Sequence, residues 1–205
     1  TWKYEFDKDK TLDDIFKLPN GNEVPCKMMI QKNDFAFYSN SDFKAVDLPY
    51  GDEHFSMTVI LPNENSSTDK IIDQLSKENW NSWLDNFVET EGTIQLPKFK
   101  LEYKYTLNDV LKALGMEIAF DSGNADFTNL YKNGGVFISE VKHKSFVDVN
   151  EEGTEAAAVT AVEFGRTSTG SGFNMRIDRP FVFVIRESNS GSLLFMGKII
   201  KPLLN

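Results

Sequence analysis

Residues 150–172 read NEEGTEAAAVTAVEFGRTSTGSG. The stretch begins as an acidic turn around Gly153, continues through small apolar residues and ends in glycine, serine and threonine. A loop built for solvent would be more polar, whereas a core strand would carry larger apolar side chains. The composition therefore fits a connection that can also serve as a strand.

The same stretch divides into two faces when it is given the two-residue period of a strand. The uncharged face consists of Thr154, Ala156, Ala158, Thr160, Val162 and Phe164. The opposite face carries Glu155 and Glu163, so a slip of one residue would turn both carboxylates inward. The pattern indicates a strand whose narrow face can enter a sheet; an ordinary edge strand or a short alanine-rich helix fits it as well.

Several segments of the chain are similar to a known family. EEGTEAAAVTA (151–161) resembles the hinge of the reactive-centre loop of the serpins, the serine-protease-inhibitor superfamily, and FNMRIDRPFVFVIRESNSGSLLFMGKIIKP (173–202) resembles its C-terminal signature. Further similar segments follow in family order and spacing: AVDLPYG (45–51), LPKFKLE (96–102), TLNDVLKALGM (106–116), AFDSGNADFTNL (119–130) and EVKHKSFVDVNEEGT (140–154). The chain is identified as a member of that superfamily.

The resemblance implies an α+β, serpin-like fold, with mostly antiparallel sheets and a few helices in a single domain over residues 1–205. Family members usually have nearly twice this length, and the matching segments belong to the C-terminal half of their fold. We therefore expect an N-terminal half of the same protein as a partner. Residues 150–172 are expected to form the reactive-centre loop.

Composition limits the class of protein. The 205 residues are 40% apolar and 13% aromatic, which is enough for a sizeable core. The net charge of −9 argues against nucleic acid as a partner, because phosphate binding needs clustered lysine and arginine. No apolar run approaches the roughly 18 residues of a membrane span. Cys26 is expected to be a buried thiol, and the resemblance favours an extracellular or extracytoplasmic location.

Hydrophobic alternation predicts that most of the chain forms strands. The expected strands are 23–31, 34–39, 44–50, 55–62, 93–105, 136–149, 180–187 and 192–199. The last two are apolar enough to be buried on both faces. Ser67 offers a cap to a helical stretch that is expected to break near Ser76, and an amphipathic helix is predicted at 106–115.

Catalytic chemistry has little support in the sequence. The two histidines, His54 and His143, lie far apart, and no segment resembles a nucleophile elbow, so no Ser–His–Asp triad is predicted. One cysteine and two dispersed histidines also argue against a zinc site. We therefore expect neither enzymatic activity nor a cofactor.

The resemblance implies that the protein inhibits a serine protease as a suicide substrate. The protease cleaves the loop, and the hinge side then inserts as a new strand into the main sheet and carries the acylated protease with it. Side chains that enter the sheet must be small. The hinge residues are Glu151, Gly153, Thr154, Ala156, Ala158 and Thr160.

Two peptide bonds are candidates for cleavage. The loop length of most relatives points to Thr167–Ser168, which suits elastase- or subtilisin-like proteases. A loop one residue shorter points to Arg166–Thr167, and the long cationic side chain of Arg166 suits the acidic pocket of trypsin-like proteases. The sequence leaves both bonds open.

Three residues outside the loop are expected to control the opening of the sheet: Trp2, Lys98 and His143. By resemblance, Lys98 meets Glu151 where the loop enters the sheet, and their ion pair would help to set the threshold for opening. His143 matches a hydrogen-bonding histidine beneath the opening point, whose usual partner lies in the N-terminal half.

Two alternatives to inhibition also fit the sequence. One is a non-inhibitory serpin-like role in binding or as a chaperone, in which the loop is merely cut. Small, uncharged residues at the inward positions before Val162 favour inhibition over this role. The other is an inactive fragment that oligomerises through unpaired sheet edges.

Overall fold

The computed structural model describes residues 1–154 and 172–203. The chain divides into two compact units, Thr1–Lys100 with Asp148–Asn205, and Leu101–Val147. The first unit contains a large sheet and its core. The expectation of a single domain stays a prediction.

Strands dominate the described residues, with short helices between them. The strands are β1 (Leu12–Lys17), β2 (Glu23–Ser39), β3 (Phe43–Pro49), β4 (Phe55–Pro62), β5 (Val88–Pro97), β6 (Phe99–Thr106), β7 (Lys142–Val149), β8 (Phe173–Arg176), β9 (Phe181–Glu187) and β10 (Leu193–Ile199). The helices are α1 (Thr68–Asp73), α2 (Lys77–Asp85) and α3 (Asn108–Leu111). Short 3-10 or π turns lie at Lys8–Lys10, Lys112–Met116 and Glu117–Phe120. The α+β prediction is confirmed.

One mixed sheet joins most of the strands in the order β10-β9-β4-β3-β2-β5-β8, with β1 also paired to β2. Its pairs are antiparallel except for β5 and β8, which run parallel. A separate two-stranded sheet pairs β6 with β7. The two strands expected at 23–31 and 34–39 are instead the single strand β2. Its polar residues Lys32 and Asn33 stay in the ladder opposite Thr93 and Gly92, because backbone pairing does not depend on side-chain polarity.

The core lies on β4 and β9, which are adjacent inside the sheet. Phe181 to Ile185 are buried, as predicted for this strand. Strand β10 was expected to be buried on both faces, and this expectation is wrong: Leu193 to Met196 are exposed by 43–49%. Strand β10 is at the end of the sheet order, so β9 is its one neighbour among the described strands.

Two short helices close one side of this core. Ser67 Oγ accepts from the Lys70 N–H at 3.1 Å, and Ser76 Oγ accepts from the Asn79 N–H at 3.2 Å. Each serine therefore caps its own helix, and the predicted break near Ser76 is confirmed. Helix α2 contributes Trp83, whose ring lies 4.8 Å from that of Phe43.

The unit Leu101–Val147 contains the predicted helix in altered form and a shorter strand than predicted. The helix expected at 106–115 is α-helical over Asn108–Leu111 alone and continues as a π turn in which Gly115 has φ 95°. Its apolar face includes Leu114, which is 75% exposed, and a helix this short needs a packed face to persist. The strand expected at 136–149 begins only at Lys142.

Candidate functional site

The candidate site is the acidic turn Asn150–Gly153 together with Thr154, directly after β7. The Asn150 N–H donates to Gly153 O at 3.1 Å, and the Gly153 N–H donates to Asn150 O at 3.3 Å. Asn150 Oδ1 accepts from the Glu152 N–H at 3.0 Å. Thr154 then forms an antiparallel bridge with Val149. The chain therefore reverses and turns back alongside the strand it has just left.

Glu151 is a buried carboxylate inside this turn, with 5% of its surface exposed. Its Oε2 lies 2.7 Å from Lys98 Nζ, and its Oε1 accepts from Thr11 Oγ1 at 2.8 Å. A buried charge is tolerated only when it is paired and hydrogen-bonded. Both oxygens of Glu151 meet this condition, so the turn is held from two directions.

Burial and bonding act in opposite directions on the pKa of Glu151. Removal from water raises this pKa, but the hydrogen bonds from Lys98, the Glu151 backbone N–H and Thr11 lower it by more. The net pKa lies below its usual value, so the carboxylate is ionised at neutral pH. It therefore remains a partner for the lysine throughout the physiological range.

Trp2 holds the turn from a third side. Its indole Nε1–H donates to Asn150 O at 2.9 Å, and its backbone N–H donates to Glu152 O at 2.9 Å. The ring is 3% exposed and stacks on Tyr50 with 4.6 Å between the ring centroids. The segment after Thr1 thus forms a wall against which the turn packs.

Gly153 is the residue that allows this close packing. Its φ is +147°, and a Cβ there would lie 2.6 Å from Thr1 Cα and 3.0 Å from Trp2 N. Contacts this short with backbone atoms cannot be relieved by a side-chain rotation. A glycine is therefore required at this position of the turn.

Five of the residues singled out in the sequence meet in this site: Trp2, Lys98, Glu151, Gly153 and Thr154. His143 lies instead in the unit Leu101–Val147, where it is exposed and its Nε2 is 3.2 Å from Ser145 Oγ. Its role in sheet opening stays a prediction. The predicted residues Ala156, Ala158, Thr160, Arg166, Thr167 and Ser168 lie outside the described residues.

Sequence reasoning missed several side chains of the site, including Tyr50, Thr11 and Lys8, which pairs with Glu152. The hydroxyl of Tyr50 lies 2.7 Å from Thr154 Oγ1, and Thr11 donates to Glu151. Tyr50 belongs to a segment that matches the family, but the match did not single out Tyr50 or indicate its partner. Thr11 is 140 residues from Glu151 in sequence, and nothing near it pointed to that contact.

The described residues carry no signs of two other kinds of site. Across 1–154 and 172–203, no group of three histidine, cysteine or acidic side chains is arranged to hold a metal ion. No helix in the same part of the chain has the length and apolarity that a membrane crossing needs. Cys26 is buried, as expected.

Comparisons with known proteins agree with this fold. The family model described as serpin (serine protease inhibitor) matches residues 1–202. The chain is 40% identical to leukocyte elastase inhibitor of Homo sapiens over 98% of the chain and 55% of that protein. It is 36% identical to serpin B13 of Homo sapiens over 98% of the chain and 52% of that protein. The chain belongs to the serpin family.

Solved structures give the same result. The crystal structure of the thermophilic serpin tengpin in its native state matches with a TM-score of 0.84 and 32% identity, over 98% of this chain and 52% of that chain. The serpin-like fold expected from the sequence is therefore confirmed. The chain spans about half the length of the curated relatives it matches. None of these relatives supports the expected extracellular location, which stays a prediction.

Proposed function

We propose that the protein containing this chain inhibits a serine-type endopeptidase as a suicide substrate, with residues 150–172 as its reactive-centre loop. The chain acts in this proposal as one half of a full-length serpin. The observation that carries the proposal is the turn Asn150–Gly153, which is held on three sides and sends Thr154 back along Val149. A segment that leaves this turn is already directed to pair with β7.

The backbone bridge between Thr154 and Val149 also supports a particular register for insertion of the loop. A ladder continued from Thr154 opposite Val149 would place Ala156 opposite Val147 and Ala158 opposite Ser145. Residues opposite each other in an antiparallel pair point to the same face of the sheet. Val147 and Val149 are buried, so the uncharged face of the loop would enter on the buried side. This agrees with the inward face deduced from the two-residue alternation.

In the proposed chemistry, the protease forms an acyl enzyme with the loop, and the protease is not released from it. The serine of the protease attacks the carbonyl carbon of Arg166 or Thr167, the peptide bond to the next residue breaks, and the new amine takes up a proton. The new ester links the hinge side to the protease. About a dozen inserted residues at ~1 kcal/mol per hydrogen bond would supply on the order of 10 kcal/mol, comparable to the stability of a domain.

Both ends of the loop are attached to the same unit, which favours insertion after cleavage. Thr154 is held by Tyr50 and Val149, and a Cβ on Gly172 would lie 2.5 Å from Glu91 O, which shows how closely that end packs against β5. With both ends held, the hinge side is restrained from full insertion. Cleavage removes the restraint at Gly172, and the Thr154 side can then enter the sheet.

The residues around the turn are proposed to set the threshold for this step. The Lys98–Glu151 ion pair and the Trp2 hydrogen bonds join the turn to the rest of the unit. A new strand can therefore insert beside β7 at the turn only if these contacts shift. His143 is proposed to act further along β7. The protein itself catalyses nothing in this mechanism.

The identity of the target depends on the cleaved bond. Cleavage after Arg166 would suit a trypsin-like protease, and cleavage after Thr167 an elastase- or subtilisin-like one. Similarity to leukocyte elastase inhibitor gives support to the second choice. Both remain open within the proposal.

The test is incubation of the full-length protein with trypsin and with elastase, followed by denaturing gel electrophoresis. A covalent complex that survives denaturation is the expected result, and mass spectrometry of the released C-terminal peptide would identify the bond as Arg166–Thr167 or Thr167–Ser168. Clean loop cleavage by both proteases without any complex would overturn inhibition of these two classes and favour a non-inhibitory role.

A further inference from the structure

The phenol of Tyr50 reaches the first residue beyond the acidic turn, 2.7 Å from Thr154 Oγ1. The ring is held independently of this bond, because it stacks on Trp2 and the backbone of Tyr50 pairs with that of Trp2. The Tyr50 N–H also donates to Phe55 O at 2.8 Å. The position of the hydroxyl is therefore set by the surrounding unit and does not depend on Thr154.

The phenol of Tyr50 is protonated at neutral pH, as an ordinary tyrosine is, and burial shifts its pKa further upward. Removal from water raises the pKa of Tyr50, and the hydrogen bond to Thr154 lowers it by less. The phenol therefore has a proton to donate at neutral pH, and the threonine hydroxyl can accept it or donate its own. Ionisation of the phenol therefore does not disrupt the bond near neutral pH.

The position of Thr154 determines which side chains of the following segment point toward the buried side of the sheet. Thr154 begins the uncharged face, and a slip of one residue would turn Glu155 toward the buried side instead. The same slip would bring Gly153 or Glu155 beneath the phenol in place of Thr154. Gly153 has no side chain to bond, so the hydroxyl pair disfavours the slip that would bring Gly153 to the phenol. The opposite slip is disfavoured because it would turn the Glu155 carboxylate toward the buried side.

We propose that Tyr50 is a positioning residue for loop insertion, whose hydroxyl holds Thr154 in the register of the Val149 bridge. This inference rests on the function proposed above and adds the residue that sets how insertion begins. With the bond in place, the hinge starts to insert from a fixed first position. Without it, insertion starts late, and the acyl ester to the protease has more time to hydrolyse.

The test compares Tyr50→Phe with the unaltered full-length protein, because this change keeps the ring that stacks on Trp2 and removes the hydroxyl alone. Insertion is followed as the gain in thermal stability after a non-target protease has cut the loop. We expect insertion to slow by up to about fivefold, because loss of one hydrogen bond of ~1 kcal/mol lowers the population of the bridged starting register by at most that factor. The ratio of covalent complex to cleaved inhibitor should fall with it. The rate at which proteases attack the loop should not change.

Two further variants make this test specific. Thr154→Val removes the other half of the bond with little change of shape, and the double variant should be no slower than either single variant. Tyr103→Phe, at an exposed tyrosine, serves as the control and should insert at the unaltered rate. Thr154→Val also keeps the proposal testable if Tyr50→Phe does not fold.

Each outcome supports or opposes the proposal. An unchanged insertion rate in Tyr50→Phe contradicts it, even if the unfolding temperature falls, because a merely structural tyrosine would behave in that way. Single effects that add in the double variant also contradict it. A full-length protein that inserts its cut loop but traps no protease would contradict inhibition alone, and its insertion rate in Tyr50→Phe would still support or contradict the role of Tyr50. A cut loop that never inserts would contradict both proposals.

Discussion

At the scale of single residues, the contact between Glu151 and Lys98 is the most consequential feature of the site. The carboxylate is buried, and its two oxygens are bonded to Lys98 and Thr11. An exposed ion pair contributes a few tenths of a kcal/mol to about 1 kcal/mol, but removal of one partner from a buried pair leaves a charge without compensation. Burial therefore gives this pair a larger role than its sequence pattern alone would suggest.

Lys98→Met should lower the free energy of unfolding by about 1–3 kcal/mol, because Glu151 would lose its cationic partner while it remains buried. Denaturant unfolding measures this change. Lys100→Met is the matched control: Lys100 pairs with Asp148 at 3.1 Å but is more exposed, so its loss should cost less than about 1 kcal/mol. Equal effects in the two variants would contradict the importance assigned to the Glu151 pair.

The ionisation of Glu151 predicts a pH dependence of stability. Its folded pKa lies below the ordinary value of 4.5, so its ionised form stabilises the fold fully above pH ~4.5. This contribution is lost as the pH falls through the lowered folded pKa. The difference in unfolding free energy between the unaltered protein and Glu151→Gln should therefore be constant near neutral pH and shrink in acid. A difference that grows in acid would contradict the assignment.

At the scale of elements, the turn Asn150–Gly153 works because it fits closely against the segment after Thr1. Two backbone hydrogen bonds close it, and Trp2 and Lys98 hold it from outside. Its geometry allows Thr154 to pair with Val149 at once. A change in the turn should thus affect both the stability of the unit and the direction in which the loop leaves it.

Gly153→Ala should destabilise the protein by about 1–3 kcal/mol, because a Cβ at φ +147° would collide with the backbone of Thr1 and Trp2. Thermal or denaturant unfolding would show the loss. Gly21→Ala is a suitable control, since Gly21 also has positive φ but has no atom within 4 Å of the added Cβ. If Gly153→Ala were no more destabilising than Gly21→Ala, the close contact with Thr1 would not matter.

Several elements could be predicted because their local sequence signals agree with the way they pack in the structure. The serine caps at Ser67 and Ser76 and the apolar run of β9 are examples. The helix expected at 106–115 begins at Asn108 and becomes a π turn after Leu111, and its apolar residue Leu114 stays exposed. A local sequence pattern shows which face of a helix is apolar, but it does not show which residues will pack against that face.

The candidate site was predictable in part for a similar reason. Family resemblance marked Trp2, Lys98 and Glu151, and the structure brings them together around one turn. Thr11 and the bond between Tyr50 and Thr154 were missed because they join segments that are more than 100 residues apart. Contacts of this kind follow from the topology of the sheet and leave no local pattern.

At the scale of the whole molecule, the sheet connects the two attachment points of the loop. Strand β8, which follows Gly172, runs parallel to β5, while Thr154 lies against Tyr50 at the end of β3. Both β3 and β5 pair with the long strand β2. In the proposed mechanism, this sheet remains intact. Cleavage separates the Thr154 side of the loop from the Gly172 side, and the Thr154 side is then free to insert.

In the proposed mechanism, the loop inserts into the sheet by its uncharged face after cleavage. A matched pair of charge substitutions tests it, because Ala158 lies on that face and Ala157 on the opposite one. Ala158→Glu would place a charge on the buried side of the sheet, whereas Ala157→Glu would leave the charge in solvent. Both changes are the same size and lie eight or more residues before the candidate scissile bonds.

The measurement is the fraction of attacked full-length protein that becomes covalent protease complex on a denaturing gel. We predict that Ala158→Glu loses most of its complex and is released as cleaved protein, while Ala157→Glu stays close to the unaltered protein. Equal complex formation by the two variants, or a greater loss in Ala157→Glu, would contradict insertion by the uncharged face.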